Sequence, residues 1–189
     1  MPSVRRYTAM MNMKSLITVF VLFWLTAGAA LAQSQAKADF KLRGKGRQFI
    51  LTYRGRDHKL DVGEQIDAAR LTDVALLFSS RREPYTYLVV AACGSSKLKS
   101  DDRQCGAGTE CNLLWIKVDT EWRVGDSKFV RYESCWLPIT SSEGYKISGS
   151  NLEIVYEDLR QKTSYRVTYN AGQPERGFQI EERALEGVP

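Results

Sequence analysis

Two pairs of adjacent carboxylates, Asp101-Asp102 and Glu181-Glu182, and a single imidazole, His58, are the residues of this 189-residue chain best suited to acid–base chemistry. One histidine excludes every site that needs two imidazoles, HExxH metal sites included. It leaves one candidate base for a Ser/His/Asp arrangement. Ser79 and Ser80 are the nearest serines, but they sit in no G-x-S-x-G elbow, and Asp57 adjoins His58 where neighbours on a strand point to opposite faces. Either carboxylate pair could supply one member of a glycosidase pair, which must face its partner across a cleft. The segment from Cys93 to Cys111 lacks the Asp/Asn/Gly alternation of a calcium loop, and Gly44-Lys45-Gly46 and Gly106-Ala107-Gly108 lack the following helix of a phosphate cradle. Neither a cofactor nor a metal is expected.

Cys93, Cys105, Cys111 and Cys135 are separated by 11, 5 and 23 residues. A four-thiolate zinc site usually contains a close C-x2–4-C pair, so two disulfides are the simpler expectation. Read as a hairpin, Cys111 to Val118 and Phe129 to Leu137, joined around Val124-Gly125-Asp126, would set Cys111 opposite Cys135, Leu114 opposite Tyr132, Ile116 opposite Val130 and Trp115 opposite Arg131. This predicts the bridges Cys111–Cys135 and Cys93–Cys105. The competing pattern joins Cys105 to Cys111 and leaves Cys93 to reach Cys135.

The same register would gather Trp115, Lys117, Arg131 and Glu133 on one face, with Trp115 over Arg131 as a cation–π pair and Trp122 and Trp136 nearby. Aromatic residues and arginine carry much of the energy of binding surfaces, so Trp115, Arg131, Lys117, Trp122 and Trp136 are candidate binding residues. A second candidate surface is the basic stretch from Lys37 to Lys59, where eight Lys/Arg face two Asp. Its members Arg43, Lys45, Arg47, Arg54 and Arg56 could face a phosphate-bearing envelope polymer or an acidic partner.

The elements that must position these residues are strands. Residues 1–32 run from Arg5, Arg6 and Lys14 through the apolar stretch Leu16 to Leu25 to Ala30-Leu31-Ala32, the order of a secretory signal peptide cleaved before Gln33. Removing them leaves 24 Lys/Arg against 22 Asp/Glu, too small an excess for a nucleic-acid footprint, and leaves no stable membrane span. Residues 33–37 read as a disordered lead-in, 38–184 as one all-β domain and 185–189 as a tail. Expected strands are Phe40 to Leu42, Gln48 to Tyr53, His58 to Val62, Val74 to Ser79, Tyr85 to Ala92, the two hairpin strands, Tyr145 to Ile147, Asn151 to Glu157, Ser164 to Tyr169 and Phe178 to Glu182. Gly63 to Asp73 is the one place for a short helix. In the C-terminal meander a turn near Asp158 to Lys162 pairs Tyr156 with Tyr165, Ile154 with Val167 and Leu152 with Tyr169. The fold class is therefore all-β, an antiparallel sandwich or a closed meander or barrel. The functional expectation is a secreted or periplasmic, non-enzymatic binding module for a partner protein or an anionic envelope polymer. A carboxylate-dependent envelope hydrolase and a β-barrel carrier of a small ligand are the alternatives.

Overall fold

The computed structural model describes residues 40–62, 66, 68–97 and 108–185. The expected signal peptide, Asp101, Asp102 and Cys105 lie outside them. Among the described residues twelve strands, all paired antiparallel, form three sheets. β1 (Phe40–Lys45), β2 (Gln48–Tyr53) and β3 (Arg56–Leu60) make a meander, in the order β1-β2-β3. β4 (Ala68–Arg82), β5 (Tyr85–Ser96), β6 (Thr109–Val118) and β7 (Val124–Ser134) make the second sheet in chain order. The third runs β12 (Gln179–Ala184), β11 (Thr163–Asn170), β10 (Asn151–Asp158) and β8 (Ile139–Thr140), and β9 (Tyr145–Ser148) also pairs with β10. The sheets do not close into a barrel.

The β4–β7 sheet is the central layer, because its middle strands β5 and β6 are buried on both faces. Leu88, Val90, Leu114, Ile116 and Val118 pack one face against Phe40, Phe49, Leu51 and Leu60 of the β1–β3 sheet. Val89, Leu113, Trp115, Val130 and Tyr132 pack the other against Leu152, Ile154, Val167 and Tyr169 of the β8–β12 sheet. A strand covered on both sides needs apolar residues at successive positions, which is why Tyr87–Ala92 and Leu113–Ile116 read as unbroken hydrophobic runs. Burial pushes the phenols of Tyr132 and Tyr169 up to about 12, so both remain neutral core groups.

In the C-terminal meander the expected register is the observed one: Tyr156 faces Tyr165, Ile154 faces Val167 and Leu152 faces Tyr169. Two expectations are corrected. The described part of the suggested helix, Ala68 to Asp73, is the start of β4, with register shifts between Ala68 and Arg70 and between Leu71 and Asp73. These bulges bury Ala68 and Leu71 three positions apart, a spacing that mimics a helical stripe. The β6–β7 turn lies at Asp119–Arg123, earlier than expected, so Leu114 pairs with Phe129, Trp115 with Lys128 and Cys111 with Glu133. Opposite Asn112 to Lys117 the slip is three residues, an odd number that turns the β7 side chains paired there to the opposite face from the one expected, whereas the irregularity between Cys111 and Asn112 makes it two at Glu133, which keeps its face.

The disulfide pairing changes with it. β5 and β6 set Cys93 directly opposite Cys111, with Cα atoms 4.1 Å apart, and the two are bridged. Cys135 is also disulfide-bonded. The expected Cys111–Cys135 bridge is therefore absent, because Cys111 meets its partner on β5 rather than on β7. The expected Cys93–Cys105 bridge and the competing Cys105–Cys111 and Cys93–Cys135 pairs fall with it.

Candidate functional site

The residues first singled out as one binding face are dispersed. Trp115 is only 2% exposed, and its indole N–H donates to the Pro174 carbonyl at 2.8 Å. Its cation–π partner is the Lys128 ammonium, 5.7 Å from the ring centroid, in place of the expected Arg131. Lys117 lies over the Tyr85 ring at 3.8 Å. Arg131 points away from Trp115, toward fully buried Glu110, with Nε 4.0 Å from Oε2. Trp136 is half-buried beyond the end of β7. The hydroxyl of Ser80 donates to the Ala171 carbonyl on the β8–β12 side of the central sheet, whereas His58 lies on the β1–β3 side, so no Ser/His pair forms between them. Glu181 and Glu182 pair with Arg166 and Tyr165, which places them on opposite faces of β12 and prevents them from converging.

The β1–β3 sheet does gather functional side chains. Its inner face carries Phe40, Leu42, Phe49, Leu51 and Leu60, all in or against the core. The pleat therefore sends Lys41, Arg43 and Lys45 of β1, and Asp57 and Lys59 of β3, to the outer face. All five are exposed. Successive cations on β1 stand about 6.8 Å apart. Over residues 40–60 there are seven Lys/Arg and one acid, Asp57, while the rest of the chain after residue 32 holds 17 Lys/Arg against 21 Asp/Glu. Asp57 pairs with Arg43 and accepts a 2.6 Å hydrogen bond from Thr52. The Thr52 hydroxyl, aided by the Arg43 charge, holds its carboxyl below the usual 3.8. Of the basic residues proposed from sequence, Arg43 and Lys45 belong to this face. Arg47 turns to the Ile66 carbonyl, Arg54 lies over Tyr53 from the β2–β3 turn, and Arg56 extends from the end of β3. Lys41 and Lys59 complete the set.

One edge of this sheet is covered, since β1 runs along β4 and Leu71 N–H donates to the Gly46 carbonyl at 2.9 Å. The other edge, β3, borders a groove of about 560 Å³ whose far wall is the β6–β7 turn. Trp122 forms that wall and the His58 ring stacks on it at 4.6 Å; Tyr53 and Phe40 extend the cluster inward. Asp61, Glu121, Lys59 and Arg123 stand around the opening.

Trp122 has φ +65°, a conformation that costs a bulky L-residue about 1–2 kcal/mol. Asp119 enforces it. Its carboxylate accepts the N–H groups of Glu121 and Arg123 at 2.9 Å each and the Arg123 guanidinium at 2.9 Å, while Trp122 N–H donates to its carbonyl at 3.1 Å. The Arg123 backbone N–H is the chief reason the Asp119 carboxyl sits below its ordinary range. A turn so fully bonded fixes the backbone of Trp122, and the ring itself is held by its contacts with His58, Tyr53 and Phe40. Of the groove residues, Trp122 is among the binding candidates proposed from sequence; the signal for the turn that carries it is Asp119, a residue suited to bonding the backbone two residues ahead.

A second depression of about 430 Å³ lies on the β8–β12 side, lined by Asn151, Asn170, Gln173, Arg176 and Gln179. Among the described residues no group of three or more His, Cys, Asp or Glu could hold a metal ion. Nor is any helix among them long and apolar enough to cross a membrane. Compared with protein-family models, curated proteins and solved structures, the chain matches none.

Proposed function

We propose that the protein is a non-enzymatic binding module, secreted or periplasmic, that holds an anionic envelope polymer on the outer face of β1–β3. One observation carries this reading: Lys41, Arg43, Lys45 and Lys59 share a single outward face with one acid among them, on a chain that is otherwise acidic. Cations aligned along a strand suit a partner whose charges also repeat along a line, and such a partner gains affinity by releasing its counterions. Aligned like charges repel one another and do nothing for the stability of a sheet. The Cys93–Cys111 disulfide is compatible with an oxidising compartment.

The test is binding of linear polyphosphate, by calorimetry or fluorescence, across a salt series. Affinity should fall linearly with salt on logarithmic axes and collapse when Lys41, Arg43, Lys45 and Lys59 are replaced by Gln. Binding that ignores salt, or that survives the fourfold substitution, refutes the reading.

A further inference from the structure

We infer that the groove beside β3 takes a sugar ring, which makes the proposed polymer an anionic glycan; this rests on the β1–β3 face being its binding surface. A pyranose ring has an apolar C–H face and a rim of hydroxyls that both donate and accept. Its site therefore needs an aromatic wall and a rim carrying both acceptors and donors. The groove offers both. Trp122 and His58 supply the aromatic wall, and around it stand the carboxylates of Asp61 and Glu121 and the cations of Lys59 and Arg123.

Other occupants fit less well. The carboxylates of the lining disfavour a phosphate or other anionic group inside the groove itself, so a chain without rings has nothing to place there, and a lining dominated by charged side chains leaves an apolar ligand with buried polar partners unmet. The groove is also continuous with the cationic face, because Lys59 and Asp57 line it and belong to the outer face as well. A chain of rings bearing negative substituents could thus set one ring against Trp122 and pass its charges across Lys59, Arg43 and Lys41. The strained turn carries Trp122 to the groove, and the His58 and Tyr53 rings packed on the indole hold it there before the ligand arrives.

The experiment compares dextran sulfate, which has rings and charge, with linear polyphosphate, which has charge alone, on the oxidised full chain and its His58→Ala and Trp122→Ala variants. The wild type should bind dextran sulfate about tenfold more tightly at equal anionic-group concentration, with a change in tryptophan emission that polyphosphate does not produce. Either variant should lose that tenfold advantage and keep its polyphosphate affinity within about twofold. If Trp122→Ala does not fold, His58→Ala decides alone. Equal wild-type affinities, or an advantage that persists in folded His58→Ala, overturn the groove assignment and leave the cationic face standing. Failure of both polymers to bind at low salt overturns both. Binding of dextran sulfate alone, dependent on His58, supports the groove and refutes the face as a polyanion surface in its own right.

Discussion

The two outer sheets cover the same central sheet, yet they manage their surfaces in opposite ways. Residues 139–185, which hold β8–β12, contain six Lys/Arg and seven Asp/Glu. These neutralise one another across strands: Arg166 bridges Glu153 at 3.3 Å and faces Glu181 on β12, and Glu153 faces Lys146 on β9. Alternating signs of this kind are what a solvated sheet face needs and no more. The β1–β3 face aligns cations instead, with Asp57 as the one acid of β1–β3 and paired to Arg43. The layers also use tryptophan differently. Trp115, under the β8–β12 side, is sealed by Pro174 and Gly177, whereas Trp122, beside β1–β3, is half-buried and lines a groove. One side is built for attachment to the core and the other carries features that attachment does not require.

The largest effect should come from breaking the sealed side. Trp115→Ala removes a fully packed indole and orphans the Pro174 carbonyl, and we expect a loss of about 3–5 kcal/mol in denaturant unfolding. If Trp115→Ala unfolds less readily than Trp122→Ala, the contrast between the two layers is wrong. On the other side, the Lys41, Arg43, Lys45 and Lys59 to Gln variant should keep its melting temperature within a few degrees. It should lose about a hundredfold in polyphosphate affinity at low salt, with the logarithmic salt slope flattened by about 3. Neutralising Lys146, Lys162 and Arg166 on the opposite sheet should change affinity less than about twofold. Equal losses from the two sets would mean that the polymer reads net charge and no particular face.

A smaller effect is expected at Gly177, whose φ of +66° and ψ of −154° belong to a region that only glycine occupies comfortably. An added Cβ would stand 3.3 Å from the Trp115 ring. Gly177→Ala should therefore cost about 2 kcal/mol, read by thermal or denaturant unfolding. Asn112 should move stability the other way. It is fully buried in the central sheet, with neither amide atom hydrogen-bonded, beside the Glu110 carboxylate that accepts from Ser96 at 2.9 Å. Asn112→Leu should raise stability by about 1 kcal/mol. A loss instead would mean that the amide is satisfied by a bound water or ligand.

How much of this was legible in the sequence depended on how many faces of a strand are buried. β10 and β11 bury one face, so Leu152, Ile154 and Tyr156 alternate with exposed or half-exposed residues and the alternation fixed their register. β6 buries both, so Cys111 to Ile116 carries no alternation and its register against β7 rested on the turn alone. The turn was misplaced because Asp119 closes it with its side chain, whereas Gly125 offered the more conspicuous signal. Alternation also exposed Lys41, Arg43 and Lys45, but adding Lys59 required the three-strand register. Trp122 stood out as a candidate binding residue, but its assembly into a groove was not legible, since the groove joins residues 57–61 to residues 121–124 and no local pattern links segments so far apart.

The finest test of the cationic face is its one acid. Because the Thr52 hydroxyl and the Arg43 charge hold the Asp57 carboxyl below 3.8, its ionised form is favoured by folding. Its contribution to stability is therefore complete above 3.8 and fades as pH falls through the lower, folded value. Protonation also releases Arg43 from its counter-charge, so polymer affinity should rise over the same acid range in which stability declines. Asp57→Asn should reproduce the protonated state at neutral pH: an affinity for polyphosphate about threefold higher, a slightly lower melting temperature, and no further gain in affinity from this site on acidification. Thr52→Val keeps the carboxylate but removes its hydroxyl partner, so the gain in affinity should begin at higher pH and the loss of stability on acidification should become smaller. If Asp57→Asn binds polyphosphate no more tightly than the wild type, Asp57 does not screen the cationic face.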